Sequence, residues 1–277
     1  MTFSIVAIDG DAAGVAVASR FLAVGSVVPG ARAGVGAVAT QSFAKGSYIP
    51  DLLSALAAGE PADVALRRLA ALDDGAAERQ VGVVGSVDQA SMTGADCMPW
   101  AGGVTGRTGD QAYAIQGNVL VGEQVVRDME RAWLDSVGQT LPRRLLAAVT
   151  AGDRAGGDRR GKQSAALYAV RPDAGYDRNG VLADLRVDDH AEPVAELARL
   201  ADLAELYFGE PEEVQPLQGA LAVEVRTLLT DIGVSGGELA GDLARWAGEA
   251  NLETRLTTAG IDARVLEQLR ASAHGSW

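Results

Sequence analysis

Short runs of small and β-branched apolar residues dominate the first part of the chain, the pattern of strands in a sheet core. Ser4–Ile8 and Gly14–Ser19 flank the turn Asp9-Gly10-Asp11 and read as a β-hairpin, and Gly34–Ser42 reads as a third strand. The apolar period then lengthens. Pro50–Ala58 and Pro61–Leu72 each carry Pro near the start of an amphipathic stretch, and Leu66, Leu69 and Leu72 recur at helical spacing. Val81–Val84 with Ala90–Thr93 makes a second hairpin and Tyr113–Gln116 a further strand. Glu123–Asp135 and Leu141–Ala151 are two more helices, Ser164–Val170 and Val181–Val187 two more strands, and the helix Pro193–Phe208 stops at Gly209.

Strands and helices thus come in pairs. A parallel doubly wound sheet needs a helix after nearly every strand, so this order predicts an α+β fold of two antiparallel sheets with helices stacked outside them; the alternative is one mixed sheet with helices on one face. Beyond Gly209 the pattern changes. The acidic, proline-bearing stretch Glu210–Pro216 reads as a linker, and Leu217–Arg270 is mostly helical, with breaks at Gly236-Gly237 and Gly260. The predicted organisation is a main domain over residues 1–209, a linker over 210–216 and a small helical domain over 217–277, whose apolar helix faces are read as its own core.

Composition narrows the function classes. The chain has 277 residues and is 48% hydrophobic, enough for a sizeable core. Its net charge of −13, from 37 acidic against 24 basic residues, argues against nucleic acid or an anionic membrane surface as the main partner. No apolar run has the length of a membrane span and no basic-then-apolar leader opens the chain, so a cytoplasmic location is expected. Cys97 is the single cysteine, which leaves no intrachain disulfide and no cysteine cluster for a metal.

Candidate chemistry begins at the N-terminus. If Met1 is trimmed, Thr2 carries a hydroxyl nucleophile and a free α-amine on one residue, and an amine with a pKa of about 7.7–8.0 can accept the hydroxyl proton directly or through a water. Met-Thr is also a common start with no catalytic meaning. Two phosphate motifs fail on context. Gly156-Gly157-Asp158-Arg159-Arg160-Gly161-Lys162-Gln163 has P-loop spacing, but Gln163 stands where Ser or Thr would hold magnesium, and a helix precedes the loop where a strand should. Gly34, Gly36 and Ala39 mimic a dinucleotide fingerprint but lead into a strand. A serine triad would have to draw its base from His190 or His274, the two histidines. Asp188, Asp189 and His190 precede a helix started by Pro and read as turn and capping chemistry more readily than as metal ligands.

Six blocks spaced along the chain carry a resemblance. They are Thr2–Ala7, Val17–Gly25, Ala33–Gln41, Gln116–Asn118, Gly156–Ala165 and Leu185–His190. In that order, from Thr2 to about Phe208, they resemble an uncharacterised bacterial family assigned to the N-terminal-nucleophile (Ntn) hydrolase superfamily. Pro216–Arg270 more weakly resembles a domain, often appended to that family, to which peptidoglycan binding has been ascribed. The resemblance implies a four-layer αββα sandwich related to proteasome subunits and amidases, with an N-terminal Thr attacking an amide carbonyl, no cofactor, no metal and a homo-oligomeric assembly. It supplies no substrate.

Under that resemblance Ser19 becomes a hydrogen-bonding partner of Thr2, and Arg20 orients a carboxylate or, equally, supports a structural ion pair. Gln41 stands where the superfamily often places a charged group that tunes the nucleophile, and with Lys45 in a glycine-bearing loop a proteasome-like lysine role is in doubt. Asn118 either donates to a tetrahedral oxyanion or is a turn residue. Asp158, Arg160, Gln163 and Ser164 bind the α-amine or a substrate carboxylate, or belong to a surface loop. The functional expectation is hydrolysis of a small or peptide-like amide, or a related acyl bond, through an acyl-Thr2 ester. The alternative is a non-catalytic binding or scaffold protein that uses the sandwich and the helical domain for a partner or a cell-wall-derived glycan. Retention of Met1 would favour that alternative.

Overall fold

The computed structural model describes residues 2–275. The chain divides into two compact units, Met1–Ala201 and Asp202–Trp277.

The first unit is built on two sheets. β1 (Thr2–Asp9), β2 (Ala12–Ser19), β7 (Gly102–Thr108), β8 (Gln111–Asn118), β9 (Ser164–Val170) and β10 (Val181–Val187) form a six-stranded sheet in the order β10-β9-β2-β1-β8-β7. The second sheet has four strands in the order of the chain: β3 (Pro29–Arg32), β4 (Gly36–Ser42), β5 (Arg79–Gly85) and β6 (Gln89–Thr93). Every pairing is antiparallel, as the paired order of elements predicts, and the single mixed sheet is excluded. The fold is therefore α+β.

Alternation along each strand sorts the side chains into separate cores. Val6, Ile8, Val15 and Val17 from the larger sheet meet Ala37, Ala39 and Val84 from the smaller one in a buried layer between the sheets. The opposite face of the larger sheet, with Phe3, Ile5, Ala16 and Leu167, packs under α3 (Gln124–Asp135), α4 (Leu141–Arg154) and the first turns of α5 (Pro193–Phe208). Val38, Val81 and Val83 of the smaller sheet pack under α1 (Tyr48–Ala57) and α2 (Ala62–Ala71). Arg144 of α4 is 1% exposed, lies 3.7 Å from the Trp133 ring and pairs at 2.9 Å with Asp9, tying the far end of β1 to the helices.

Two strands lack a legible signal. β7 carries Gly102, Gly103 and Gly106, and a Cβ at Gly106 would lie 2.3 Å from the Tyr113 hydroxyl of β8, so close cross-strand packing removes the side chains by which a strand is recognised. β3 is four residues long and begins at Pro29 on a sheet edge, where a missing N–H is tolerated.

In the second unit α6 (Gly219–Asp231), α7 (Leu239–Glu249) and α8 (Ala263–Ala273) enclose a core that includes Leu229, Trp246, Leu252 and Leu266. The stretch read as a linker is tied down. Gln215 pairs with Ile261 through both backbone groups at 2.9 Å. Arg255, fully buried, donates to the carbonyls of Glu205 and Leu206 at the end of α5 and of Glu210, and pairs at 2.9 Å with buried Asp262. A buried guanidinium has to satisfy its N–H groups, and here the orphan carbonyls of a helix end do so. The break between units accordingly falls inside α5.

Candidate active site

One end of the six-stranded sheet brings four candidate residues into a row. Register pairs Thr2 with Ser19 on β2 and with Asn118 on β8, and Ser19 with Ser164 on β9. All four are on the face that turns toward the smaller sheet, because Ser4, Val17, Gln116 and Ala166, two residues along each strand, are on that same face. The Thr2 and Ser19 hydroxyls are 3.1 Å apart, and Thr2 is 4% exposed. Met1, whose removal the catalytic reading needs, lies outside the described residues.

Beneath this row the layer between the sheets is polar. Gln41 Nε2 donates to the Thr2 carbonyl (3.3 Å), the Gln116 carbonyl (3.3 Å) and Gln80 Oε1 (2.8 Å). With Nε2 thus committed, Gln41 Oε1 must accept, and it takes the Ser4 hydroxyl proton at 2.7 Å; Ser4 Oγ in turn accepts from Gln116 Nε2 at 2.6 Å. Gln80 Oε1 also accepts from Asn118 Nδ2 at 2.9 Å, and Gln80 Nε2 donates to the Gly117 carbonyl at 2.8 Å and to Thr93 Oγ1 at 2.9 Å. Gln41, Gln80, Gln116, Asn118 and Ser4 are each at most 1% exposed. Gly82 leaves the space: a Cβ there would stand 2.2 Å from Gln116 Oε1. Gln80, Gln116 and Ser4 escaped the sequence reading, although each is a polar residue at an inward position of an otherwise apolar strand.

The strand ends are sharply turned. Ser42, after Gln41, has φ 69°, and Val119, after Asn118, has φ 52°, a left-handed conformation that a β-branched residue rarely adopts. Val119 is held there by bonds from its N–H to the Met98 carbonyl (2.9 Å) and from the Arg159 N–H to its own carbonyl (3.1 Å).

The glycine-rich loop before β9 crosses the start of β1. On one side Gln163 N–H donates to the Ser19 carbonyl at 3.1 Å and Arg20 N–H to the Asp158 carboxylate at 3.0 Å. On the other, Asp158 bridges to Leu120, and Val121 N–H donates to the Gly157 carbonyl at 3.1 Å. Since β1 lies between β2 and β8, a segment stitched to both of their ends spans the end that carries Thr2. Gly157, at φ 50°, lets this strap lie against the Phe3 ring, where a Cβ would stand 2.8 Å away.

Asp158, 5% exposed, also accepts from the Arg160 backbone N–H (2.9 Å) and guanidinium (2.9 Å). Arg20 meets that carboxylate through its backbone, while its guanidinium donates to the Lys162 carbonyl at 3.3 Å. Lys162 pairs with Asp153 and Glu192; burial works against its charge, but those hydrogen bonds outweigh it and raise its pKa. Ser164 Oγ donates to the Phe21 carbonyl at 2.5 Å and accepts from Val24 N–H, pinning the turn after β2. Gln163 Nε2 donates to Asp189 at 3.1 Å, and His190 Nδ1 accepts from Glu192 N–H, which is turn chemistry.

Lys45 belongs elsewhere: it pairs with Asp73 at 3.2 Å. The Arg79 guanidinium beside Asp73 holds that carboxyl well below the usual carboxylate range, and burial, then Asp73, pushes the Tyr48 hydroxyl up to about 12. The group beneath Thr2 is the neutral amide of Gln41.

Fold and site together define an α+β protein with two facing antiparallel sheets and a buried threonine-centred polar layer at one end of them. A family model described as a family of unknown function, DUF1028, matches residues 2–197, and the chain belongs to that family. It is similar to the crystal structure of protein SPO2555 from Silicibacter pomeroyi, also assigned to DUF1028, with 28% identity, a TM-score of 0.64, and coverage of 80% of this chain and 92% of that one. No curated protein matches the chain.

Proposed function

We propose that this chain is an N-terminal-threonine hydrolase of the Ntn type, and that its two sheets with helices on both outer faces are the four-layer αββα sandwich of that superfamily. The observation that carries the reading is the Thr2 hydroxyl, 3.1 Å from Ser19 Oγ and in register with Asn118, above a buried layer of neutral amides. Such a layer is a poor way to stabilise a sheet interface, and it fits a need to position Thr2.

With Met1 removed, the Thr2 α-amine takes the hydroxyl proton, Oγ1 attacks the carbonyl carbon of the bound amide, and the carbonyl oxygen becomes an oxyanion. Ser19 orients Oγ1, and Gln41 fixes the Thr2 carbonyl. Asn118 uses one amide N–H on Gln80 and has a second to give the oxyanion, a contribution worth about 2.7–4 kcal/mol in enzymes where such a donor has been removed. The tetrahedral species collapses with cleavage of the C–N bond, the amine leaves with the proton, and water then cleaves the Thr2 ester to release the acid.

The competing reading, a binding or scaffold protein, draws on the 4% exposure of Thr2 in the uncleaved chain. Acid-quenched turnover of small amides and activated esters separates the two. The expected result is one acyl adduct on the N-terminal peptide, absent from Thr2→Ala. Undiminished turnover by Thr2→Ala would sink the proposal.

A further inference from the structure

We infer that the amide taken at Thr2 carries a carboxylate, held by Arg20 and Arg159, next to an apolar group; the inference rests on the reading of Thr2 as the reacting residue. The strap across β1 sets these two cations on either side of Thr2. Arg20 follows Ser19 at the end of β2, and Arg159 is bonded through its N–H to the Val119 carbonyl just past Asn118. The ends of β2 and β8 are two strand spacings apart, roughly 10 Å, the scale of a small acyl amino acid.

The cations of this segment divide cleanly. Lys162 is committed to Asp153 and Glu192, and Arg160 to Asp158. Arg20 and Arg159 are exposed and, among the described residues, neither guanidinium has a carboxylate partner. In a chain of net charge −13, where most of the described surface arginines sit on an acid, two exposed arginines without a carboxylate partner, carried by the backbone at the strand ends on either side of Thr2, offer a site for an anion. The same strand ends also expose apolar side chains: Phe21 and Leu22 follow Arg20, Phe43 follows the Gln41–Ser42 turn, and Val121 follows the Asn118–Val119 turn, with exposures between 48% and 59%. Cation and apolar surface side by side match an N-acyl amino acid, whose carboxylate meets the arginines and whose side chain and acyl group cover the apolar rim. Its hydrolysis follows the route above, consuming one water and releasing a fatty or short-chain acid and an amino acid.

The test is calorimetric binding of N-octanoyl-leucine and N-octanoyl-leucinamide to the full-length Thr2→Ala chain, which cannot turn them over by this route. The acid should bind about tenfold more tightly than the carboxamide at low salt. Arg20→Gln and Arg159→Gln should each erode that preference, and Arg159→Lys should keep part of it. These substitutions leave intact the backbone bonds that hold the strap, and circular dichroism checks the fold. Equal binding of the two probes, no binding of either, or a preference indifferent to both arginines would overturn the inference. Kinetics on the wild type keep the two proposals apart. Hydrolysis of acid and carboxamide with equal efficiency leaves the hydrolase and removes the anion site; acid-selective binding without turnover does the reverse.

Discussion

The layer between the two sheets has two ends made by the same strands on the same faces, and they are built from opposite chemistry. At the far end Val6, Ile8 and Val15 meet Ala37, Ala39 and Val84 in an apolar contact. At the near end the positions two and four residues further along carry Thr2, Ser4, Ser19, Gln116, Asn118, Gln41 and Gln80, all buried and bonded mainly to one another. The far end shows what the sheets need for cohesion. The near end shows what they give up, since a buried amide gains little net stability from its hydrogen bonds and costs a good deal when one is lost. The polar end also stores backbone strain at Val119, and among the described residues Gln116 Oε1 and Ser91 Oγ are left buried there without a hydrogen-bond partner, as is Arg144 Nε under the helices. Within the layer between the sheets, strain and unsatisfied groups fall at the polar end, which marks that end as the one shaped by chemistry rather than by packing.

The largest effect expected of this contrast comes from Gln80→Leu. It strands the Asn118 amide, takes a donor from the Gly117 carbonyl and removes the shortest of the three acceptors around Gln41 Nε2, and should lower unfolding stability by about 3 kcal/mol in urea titrations. A loss under about 1 kcal/mol would mean that the layer tolerates apolar filling and that the contrast is overstated. Next comes a pH test. The near-end layer is made of neutral side chains, so the acid limb of stability should arise elsewhere, with Asp73 a principal source. Its folded pKa is depressed, first by the Arg79 hydrogen bond and then by the Gly75 N–H and Lys45, so its contribution is full above about pH 5 and is lost as pH falls through the folded value. Asp73→Asn should therefore lower stability near neutrality by about 2 kcal/mol and flatten the dependence below about pH 4. An unchanged acid limb would assign that dependence to other carboxylates. The smallest effect is at the apolar end, where Ile8→Val should cost about 1 kcal/mol and leave any reaction at Thr2 unaltered.

Much of the frame was legible. The hairpin of Ser4–Ile8 and Gly14–Ser19 announces itself by two short apolar runs around an Asp-Gly turn, and it alone sets Ser19 opposite Thr2. The paired order of strands and helices carries the antiparallel sheets. What stayed hidden depends on contacts between distant segments. Gln80 and Gln116 stand 36 positions apart, and only sheet packing reveals that Gln116 folds over Gly82 while Gln80 reaches the Gly117 carbonyl. The glycine-rich loop was readable as a misfit to phosphate chemistry, but its bonds to both Ser19 and Val119 follow from the strand order β2-β1-β8, which no local pattern states. Lys45 is separated from Gln41 in role because Asp73, 28 positions further on, captures it.

Both proposals require Thr2 to be a processed and reactive terminus. Intact-protein mass spectrometry of the natively expressed chain, before and after treatment with an electrophile that captures an N-terminal threonine through its hydroxyl and amine, addresses it directly. The expected result is loss of Met1 and a single adduct on Thr2 that Thr2→Ala abolishes. A retained Met1, or a free Thr2 that takes no adduct, would contradict it and leave the buried amide layer as the framework of a binding protein.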